Sequence, residues 1–457
     1  MKAIRVMIPV FMLSVLGLAW YNTVSTVSTE ASTYDRYIAE GNAAFEKTHF
    51  QEAYLAYERA LGVKKTEAAQ DKILAAYAAR SKETEEYDDF DRYVDASAKA
   101  CSRFSGTLKY YENTMELMLT DSRYDDALGI YRQAGKNHLS SEKLTTQYRS
   151  VIGVWKIYKA GVKEYTEPFN GCYSYSRENG WSVYNLDTRK DVVRACTTVG
   201  RAGDDGIFFS SGTRDANEFV DTAGVVRGKL KSKVEAAGIY REGLAPVKIE
   251  GNYRYTDLDG QKTFGAYRFA GTFYKGVAPV QLGSDDWTLI DKDGNTVTDN
   301  LFDRIVLNTW DSCSAGPNRD LVIAQKDGVF AIYDAHGKEA KQTLDCEDMD
   351  IVTDDNLFAA KKGGKWGFMN SGGEWIIEPS YDGAKSFACG LAAVKEGENW
   401  KLINRAQETV AEGNFAEIGY MNKDGSVFVR TKDDKGVAGT YYDWLKFPYF
   451  SQLTAEG

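Results

Sequence analysis

Two Asp-x-Asp-Gly runs come nearest to a pattern that does chemistry, Asp257-Leu258-Asp259-Gly260 and Asp291-Lys292-Asp293-Gly294. Oxygen-rich loops with a turn glycine bind calcium. Neither run carries the spaced Glu that finishes an EF-hand loop. Both stand where strands must reverse, and Asp-Gly is a preferred hairpin turn, so the turn reading is the stronger one. The three histidines, His49, His138 and His336, lie far apart in predicted turns or helix ends and form no metal set. The cysteines, Cys101, Cys172, Cys196, Cys313, Cys346 and Cys389, show no CxxC pair or zinc spacing. Cys172 and Cys389 fall near the start of apolar strands and read as small buried hydrophobes rather than disulfide partners. No G-x-S-x-G, P-loop or dinucleotide fingerprint occurs. No carboxylate pair is singled out for glycoside chemistry. The expectation is a chain with no catalytic residue, no cofactor and no metal, and so not an enzyme.

Composition narrows the classes further. The chain has 457 residues, room for two or three domains. Its net charge is −10 and it has no basic cluster, which argues against nucleic acid as a partner. With 29 Tyr and 21 Phe it favours strands. Only seven prolines argue against a disordered linker protein.

The elements that must carry any site are repeats. Gly363 to Val394 reads as a β-meander. Lys365–Asn370 is a strand, Ser371-Gly372-Gly373 a turn, and Glu374–Ile377 a second strand that Pro379 ends. Tyr381–Phe387 is a weaker third strand. Gly390 then opens the apolar run Leu391–Val394. An Asp or Asn anchor ends the aromatic strand of each copy, at Asn185, Asp221, Asp257, Asp291, Asp334, Asn370 and Asn404, with a degenerate copy near Asp443. The period is roughly 36 residues, the signature of a repeat architecture. It stretches to 43 between Asp291 and Asp334. Apolar strands recur eight times, near Tyr173, Phe208, Ala245, Ala278, Ile323, Ala359, Ala393 and Phe428.

This segment resembles the bacterial WG-repeat family, named for the pair standing here as Trp366-Gly367. The resemblance covers about residues 163–450 and is strongest at 363–394. Most copies lack the pair: Asn179-Gly180-Trp181 and Asp286-Trp287 keep only the aromatic. Three or four short strands per unit need edge protection, which radial closure supplies. Glu164–Gly171 looks like the tail of a unit and the C-terminus like the start of one. Together they would complete a blade. The expectation for 163–457 is a β-propeller of seven or eight blades, with an open β-solenoid as the alternative.

Residues 33–158 have a helical period. Ala53, Tyr57 and Ala60 follow Gly41 at fixed spacing, and Ala127, Tyr131 and Ala134 repeat the triplet 74 residues later. A middle copy should centre on Val94. Ser141–Lys159 reads as a terminal helix. The pattern resembles the tetratricopeptide repeat, which implies an α-solenoid whose concave face carries ligand positions on the first helix of each unit. Carried onto this chain, those are Asp35, Ile38, Asn42, Phe45 and Glu46, then Lys109 and Glu116. A plain helical bundle is the blander reading.

At the N-terminus, Lys2 and Arg5 precede an apolar run, Val6–Trp20, and no further Lys or Arg appears until Arg36. That asymmetry puts the rest of the chain outside the cell. An uncleaved membrane anchor is the first reading and a cleaved signal the second. Residues 1–32 are thus anchor and polar linker. The function expected is an extracytoplasmic scaffold, tethered or secreted, with a protein partner. The alternative is cell-envelope glycan binding or processing, through sugar stacking on Trp181, Trp287, Trp310, Trp366, Trp375 and Trp400. Exposed, clustered tryptophans would favour it.

Overall fold

The computed structural model describes residues 30–84, 87–167, 169–212, 216–433 and 435–455. The chain divides into two compact units, Met1–Val151 and Ile152–Gly457. No described helix is long and apolar enough to cross a membrane. The anchor expectation concerns residues outside the described ones.

The first unit is helical. Its helices are α1 (described over 30–46), α2 (Phe50–Val63), α3 (Glu67–Thr84), α4 (Tyr87–Arg103), α5 (Leu108–Thr120), α6 (Tyr124–Lys136) and α7 (Glu142–Ile152). Neighbours in the chain pack as antiparallel pairs because small residues allow close approach. A Cβ added at Gly41 would lie 2.3 Å from the Tyr57 ring. Ala53, Tyr57 and Ala60 are buried, as are Ala127, Ala134 and the middle-copy Val94. Stacked rings join successive helices, Tyr54 on Tyr77 at 4.3 Å and Tyr131 on Tyr148 at 4.1 Å.

The second unit is built of antiparallel sheets. Sheet 1 holds Glu164–Tyr165, Cys172–Arg177, Gly180–Asn185 and Lys190–Cys196. Sheet 2 holds Thr198–Val199, Ile207–Ser211, Asn217–Asp221 and Val226–Leu230. Sheet 3 runs from Ala236–Ala237 through Ala245–Ile249 and Asn252–Thr256 to Thr263–Tyr267. Sheet 4 has Phe269–Ala270, Ala278–Gln281 and Trp287–Ile290. Sheet 5 has Arg304–Ile305, Leu321–Lys326, Val329–Asp334 and Ala340–Thr343, with Ser314–Ala315 beside its second strand. Sheet 6 has Asp348–Met349, Leu357–Lys362, Lys365–Asn370 and Trp375–Tyr381. A seven-stranded sheet completes the set. Its order is Gly383–Ala384, Leu391–Glu396, Asn399–Asn404, Thr409–Ile418, Ser426–Thr431, Tyr442–Lys446 and Lys156–Val162.

Each expected apolar strand is the second strand of a four-strand set, or its equivalent. These strands bury both faces, so alternate residues serve different neighbours. Phe208 packs back on sheet 1 and Phe209 packs forward on sheet 3. Ala392 and Val394 pack on sheet 6, while Ala393 joins Val427 and Val429. The core is therefore a chain of small clusters, one at each junction. The last cluster, with Phe428 and Trp444, contains Tyr173 and Tyr175 of sheet 1, so the succession returns to its start.

Four expectations change. The terminal helix stops at Ile152 instead of reaching Lys159. Gly153 follows it, and Lys156–Val162 is drawn into a strand by pairing with Tyr442–Lys446, a tertiary contact that overrides local period. Strand structure accordingly begins at Lys156. Glu164–Tyr165 opens sheet 1 and is not a tail. Pro379 does not end its strand, which runs to Tyr381. It sits in a bulge where Phe368 faces Ile377 and Trp366 faces Tyr381, a place where a missing N–H is tolerated. Asp443 is no hairpin anchor. It lies within a strand and accepts the N–H groups of Ala160 at 2.9 Å and Gly161 at 3.3 Å, with Lys159 Nζ at 3.0 Å.

Candidate functional site

The predicted groove residues of the helical unit mostly join helix to helix. Asn42 accepts hydrogen bonds from Tyr57 Oη at 3.0 Å and Lys72 Nζ at 2.9 Å. Lys109 pairs with Asp71 at 2.8 Å and Glu67 at 3.2 Å. Glu116 takes Lys143 at 2.7 Å. A lysine thus links successive first helices of the pairs. Phe45 packs edge-on against Phe50 and Ile38 joins the same apolar cluster. Asp35 and Glu46 are exposed. The structure does not bring these residues into one pocket. A hollow of about 240 Å³ lies instead on α3, α4 and α5, lined by Leu74, Ala75, Ala78, Tyr93, Tyr110 and Asn113 among others. Its α3 part belongs to the middle copy, where the sequence pattern is weakest. Spacing from Val94 was the one signal that pointed there.

The turn anchors are structural. Asp291 Oδ1 accepts the amides of Asp293 and Asn295, both at 2.9 Å. Asp257 accepts those of Gln261 at 2.8 Å and Lys262 at 3.0 Å. These bonds hold the carboxylate of Asp291 below its ordinary range. Among the described residues no three His, Cys, Asp or Glu side chains gather as a metal site. All six cysteines are free thiols. Of the six tryptophans considered for sugar stacking, Trp310 is buried and the other five are half-buried. None is exposed, which removes the feature that motivated glycan binding.

A second cluster was not foreseen. It forms where residues just after the short first strands meet partners from other sheets, some of them not neighbours in the chain. The long repeat supplies its centre. Residues 308–316 of sheet 5 carry Trp310, which stacks on Phe169 of sheet 1 at 5.9 Å between ring centroids. Trp310 also meets Tyr274 of sheet 4 edge-on at 5.3 Å. The guanidinium of Arg241 from sheet 3 lies 4.3 Å from the Trp310 ring centroid, a favourable cation–π placement. Next to it, the Asp311 carbonyl accepts the Thr272 N–H at 2.8 Å. Its carboxylate stands 3.7 Å from Arg201 of sheet 2.

Glu167 closes the other side. Its Oε1 accepts the Tyr420 N–H at 3.3 Å, and the Tyr420 hydroxyl donates to Asp350, 2.7 Å from each carboxylate oxygen. Burial pushes the Glu167 carboxyl up to about 7 against the pull of Lys385, the Tyr420 amide, Arg201 and Tyr165. Such a group takes or gives a proton near neutrality. Burial raises the Asp311 carboxyl as well, opposed by Arg201. The Asp311 side chain is half-exposed, with 42 % of it accessible. Four buried polar atoms of these residues lack a hydrogen-bond partner: Glu167 Oε2, Arg201 Nε, Arg241 Nη1 and Thr272 Oγ1.

No curated protein matches the sequence. Among solved structures the chain is similar to BamB from Moraxella catarrhalis, at 12 % identity and TM-score 0.42, over 65 % of this chain and 98 % of that one. It is similar to the C-terminal WD40 domain of Sif2 at 7 % identity and TM-score 0.42, over 65 % and 99 %. At these scores the likeness adds nothing to what the strand pairing shows. One family match bears on the bulge at Trp366 and Gly367: residues 366–400 match the WG containing repeat.

Proposed function

We propose that this chain is a protein-interaction scaffold without catalysis of its own. Its helical unit acts as a tetratricopeptide-like stack, and its β unit as a closed propeller of eight blades. In this reading the seven-stranded sheet is two blades sharing the strand Thr409–Ile418. That strand pairs with Asn399–Asn404 through its first half and with Ser426–Thr431 through its second. The pairing of Lys156–Val162 with Tyr442–Lys446 supports closure over an open solenoid. Placement outside the cell, tethered through Val6–Trp20, belongs to the same proposal.

The observation that carries the interaction reading is the groove on α3, α4 and α5. It mixes aliphatic wall (Leu74, Ala75), aromatic floor (Tyr93, Tyr110) and a free amide (Asn113), the composition that takes up a peptide segment. Ala75 and Asn113 are exposed, so substitution there leaves the fold alone. The test is crosslinking and pull-down from native membranes with the full chain and with Ala75→Arg/Asn113→Arg. A defined protein captured by the first and lost, at least about tenfold, with the second supports the groove. Equal capture by both, or recovery of polysaccharide alone, rejects it. Any deletion of the helical unit should stop at Val151, so that Lys156–Val162 is kept.

A further inference from the structure

We propose that the Glu167 carboxyl is a proton-operated latch on the junction between sheet 1 and the last strands. With its proton it keeps the Gly419–Tyr420 end of that junction shut. Ionised, it lets that end open while the terminal strand Lys156–Val162 stays paired. The inference needs only this junction and does not depend on any partner of the helical groove.

The junction is closely built. Tyr165 of sheet 1 stacks on Phe428 at 4.0 Å between ring centroids and meets Tyr442 edge-on at 5.0 Å. Beside these rings the backbone comes so near that a Cβ added at Gly419 would lie 2.6 Å from the Tyr165 hydroxyl oxygen and 3.1 Å from Glu167 Oε1. Glu167 Oε1 accepts the Tyr420 N–H across the junction at 3.3 Å, long for a bond to a charged acceptor. Its Oε2 is buried without a partner. The cations nearby serve other groups. Lys385 Nζ stands 3.6 Å from Glu417 and 5.3 Å from the Tyr420 ring centroid. Arg201 Nη2 donates to the Glu167 backbone carbonyl at 3.1 Å. Glu417 also takes Arg430 at 3.0 Å and the Tyr442 hydroxyl at 2.7 Å, and the Tyr420 hydroxyl is committed to Asp350.

A charge on Glu167 thus has one long hydrogen bond, a bare oxygen, and the carboxylates of Asp350 and Glu417 in the same cluster. Opening the Gly419–Tyr420 end gives that charge water, and the proton removes the need. No histidine belongs to the cluster. Burial, and then a neighbouring carboxylate, raises the phenols of Tyr165, Tyr420 and Tyr442. At the far end Asp443 holds Lys156–Val162 by bonds that, against burial, keep its carboxyl below the usual range, so that end has no reason to follow. With Glu167 ionising at about 7 when shut and near 4.5 when open, opening becomes about tenfold more frequent at about pH 8.5 than at about pH 6.

The test is hydrogen exchange of the full chain at about pH 6 and about pH 8.5, read by mass spectrometry and corrected for the intrinsic rate. Three stretches are followed: 415–422 at the latch, 156–162 at the terminal strand, and 245–249 in sheet 3 as the reference. In the wild-type chain the protection of 415–422 should fall about tenfold at the higher pH while the other two hold. Glu167→Gln, which keeps an acceptor for Tyr420 and cannot ionise, should keep all three alike at both values. The latch is overturned if 415–422 is equally protected at both, if all three stretches fall together, or if Glu167→Gln shows the same fall. Should that variant not fold by circular dichroism, the wild-type chain decides. A fall confined to 415–422 with a midpoint at about pH 7 upholds the latch, and any other pattern sinks it.

Discussion

Gly367 shows how little room a repeat position leaves. An added Cβ would lie 2.5 Å from the Ile377 carbonyl oxygen and 2.7 Å from the Pro379 nitrogen. Those are backbone atoms that cannot swing aside, because the bulge brings the two strands together there. Gly367→Ala should destabilise the β unit by at least about 2 kcal/mol, read as a shifted urea midpoint at unchanged slope. Glu167 makes stability depend on pH near neutrality. Its carboxyl ionises near 7 when folded and near 4.5 when unfolded. Between those values the unfolded chain has lost a proton that the folded chain keeps. Stability therefore falls as pH rises from 4.5 to about 7, and the loss persists above it. Glu167→Gln keeps an acceptor for the Tyr420 amide and removes the titration. Its melting temperature should exceed that of the wild-type chain at about pH 8 and equal it at about pH 4. A variant that melts with the wild-type chain at both values would count against this account.

Among elements, Lys156–Val162 has the largest consequence for the least sequence. Alone it is an ordinary strand with Ile157 and Tyr158 well exposed. Asp443 holds it through the amides of Ala160 and Gly161 and through Lys159, and these bonds, working against burial, keep the carboxyl below its usual range. The stabilisation is thus present above the ordinary value of 3.8 and is lost as pH falls through the lower folded value. Asp443→Ala leaves both amides without their acceptor and should cost about 1–3 kcal/mol in equilibrium unfolding near neutral pH. No measurable change would mean that strand pairing alone holds this end. The sequence reading lost the element because residues 141–159 keep a helical period. Only the distant pairing with Leu445 and Trp444 turns the stretch into a strand.

At the scale of the molecule, period was the legible quantity. All eight apolar strands lie where the repeat placed them, because two-sided burial forces an unbroken apolar run. The Asp and Asn anchors were readable for a similar reason, since their turn bonds are local. The inner cluster was not. Glu167, Arg201, Thr272 and Asp311 come from four different repeats, and no spacing announces that they meet. The stretch of the period to 43 residues did mark sheet 5, but an added length does not say which way a loop turns. The same limit applied to the helical groove, where clear copies drew attention away from the weaker middle one.

The clasp between the first and last strands also sets a timetable. Lys159 and Asp443 are 284 residues apart. At about 5–20 residues per second, synthesis separates their appearance by about 15–60 s. Throughout that interval Lys156–Val162 has emerged without its partner, and the sheets behind it form in an unclosed series. A chain that terminates early, anywhere before Tyr442, can never make the clasp. The clasp therefore doubles as a test of completeness, and an unfinished product carries an open strand edge.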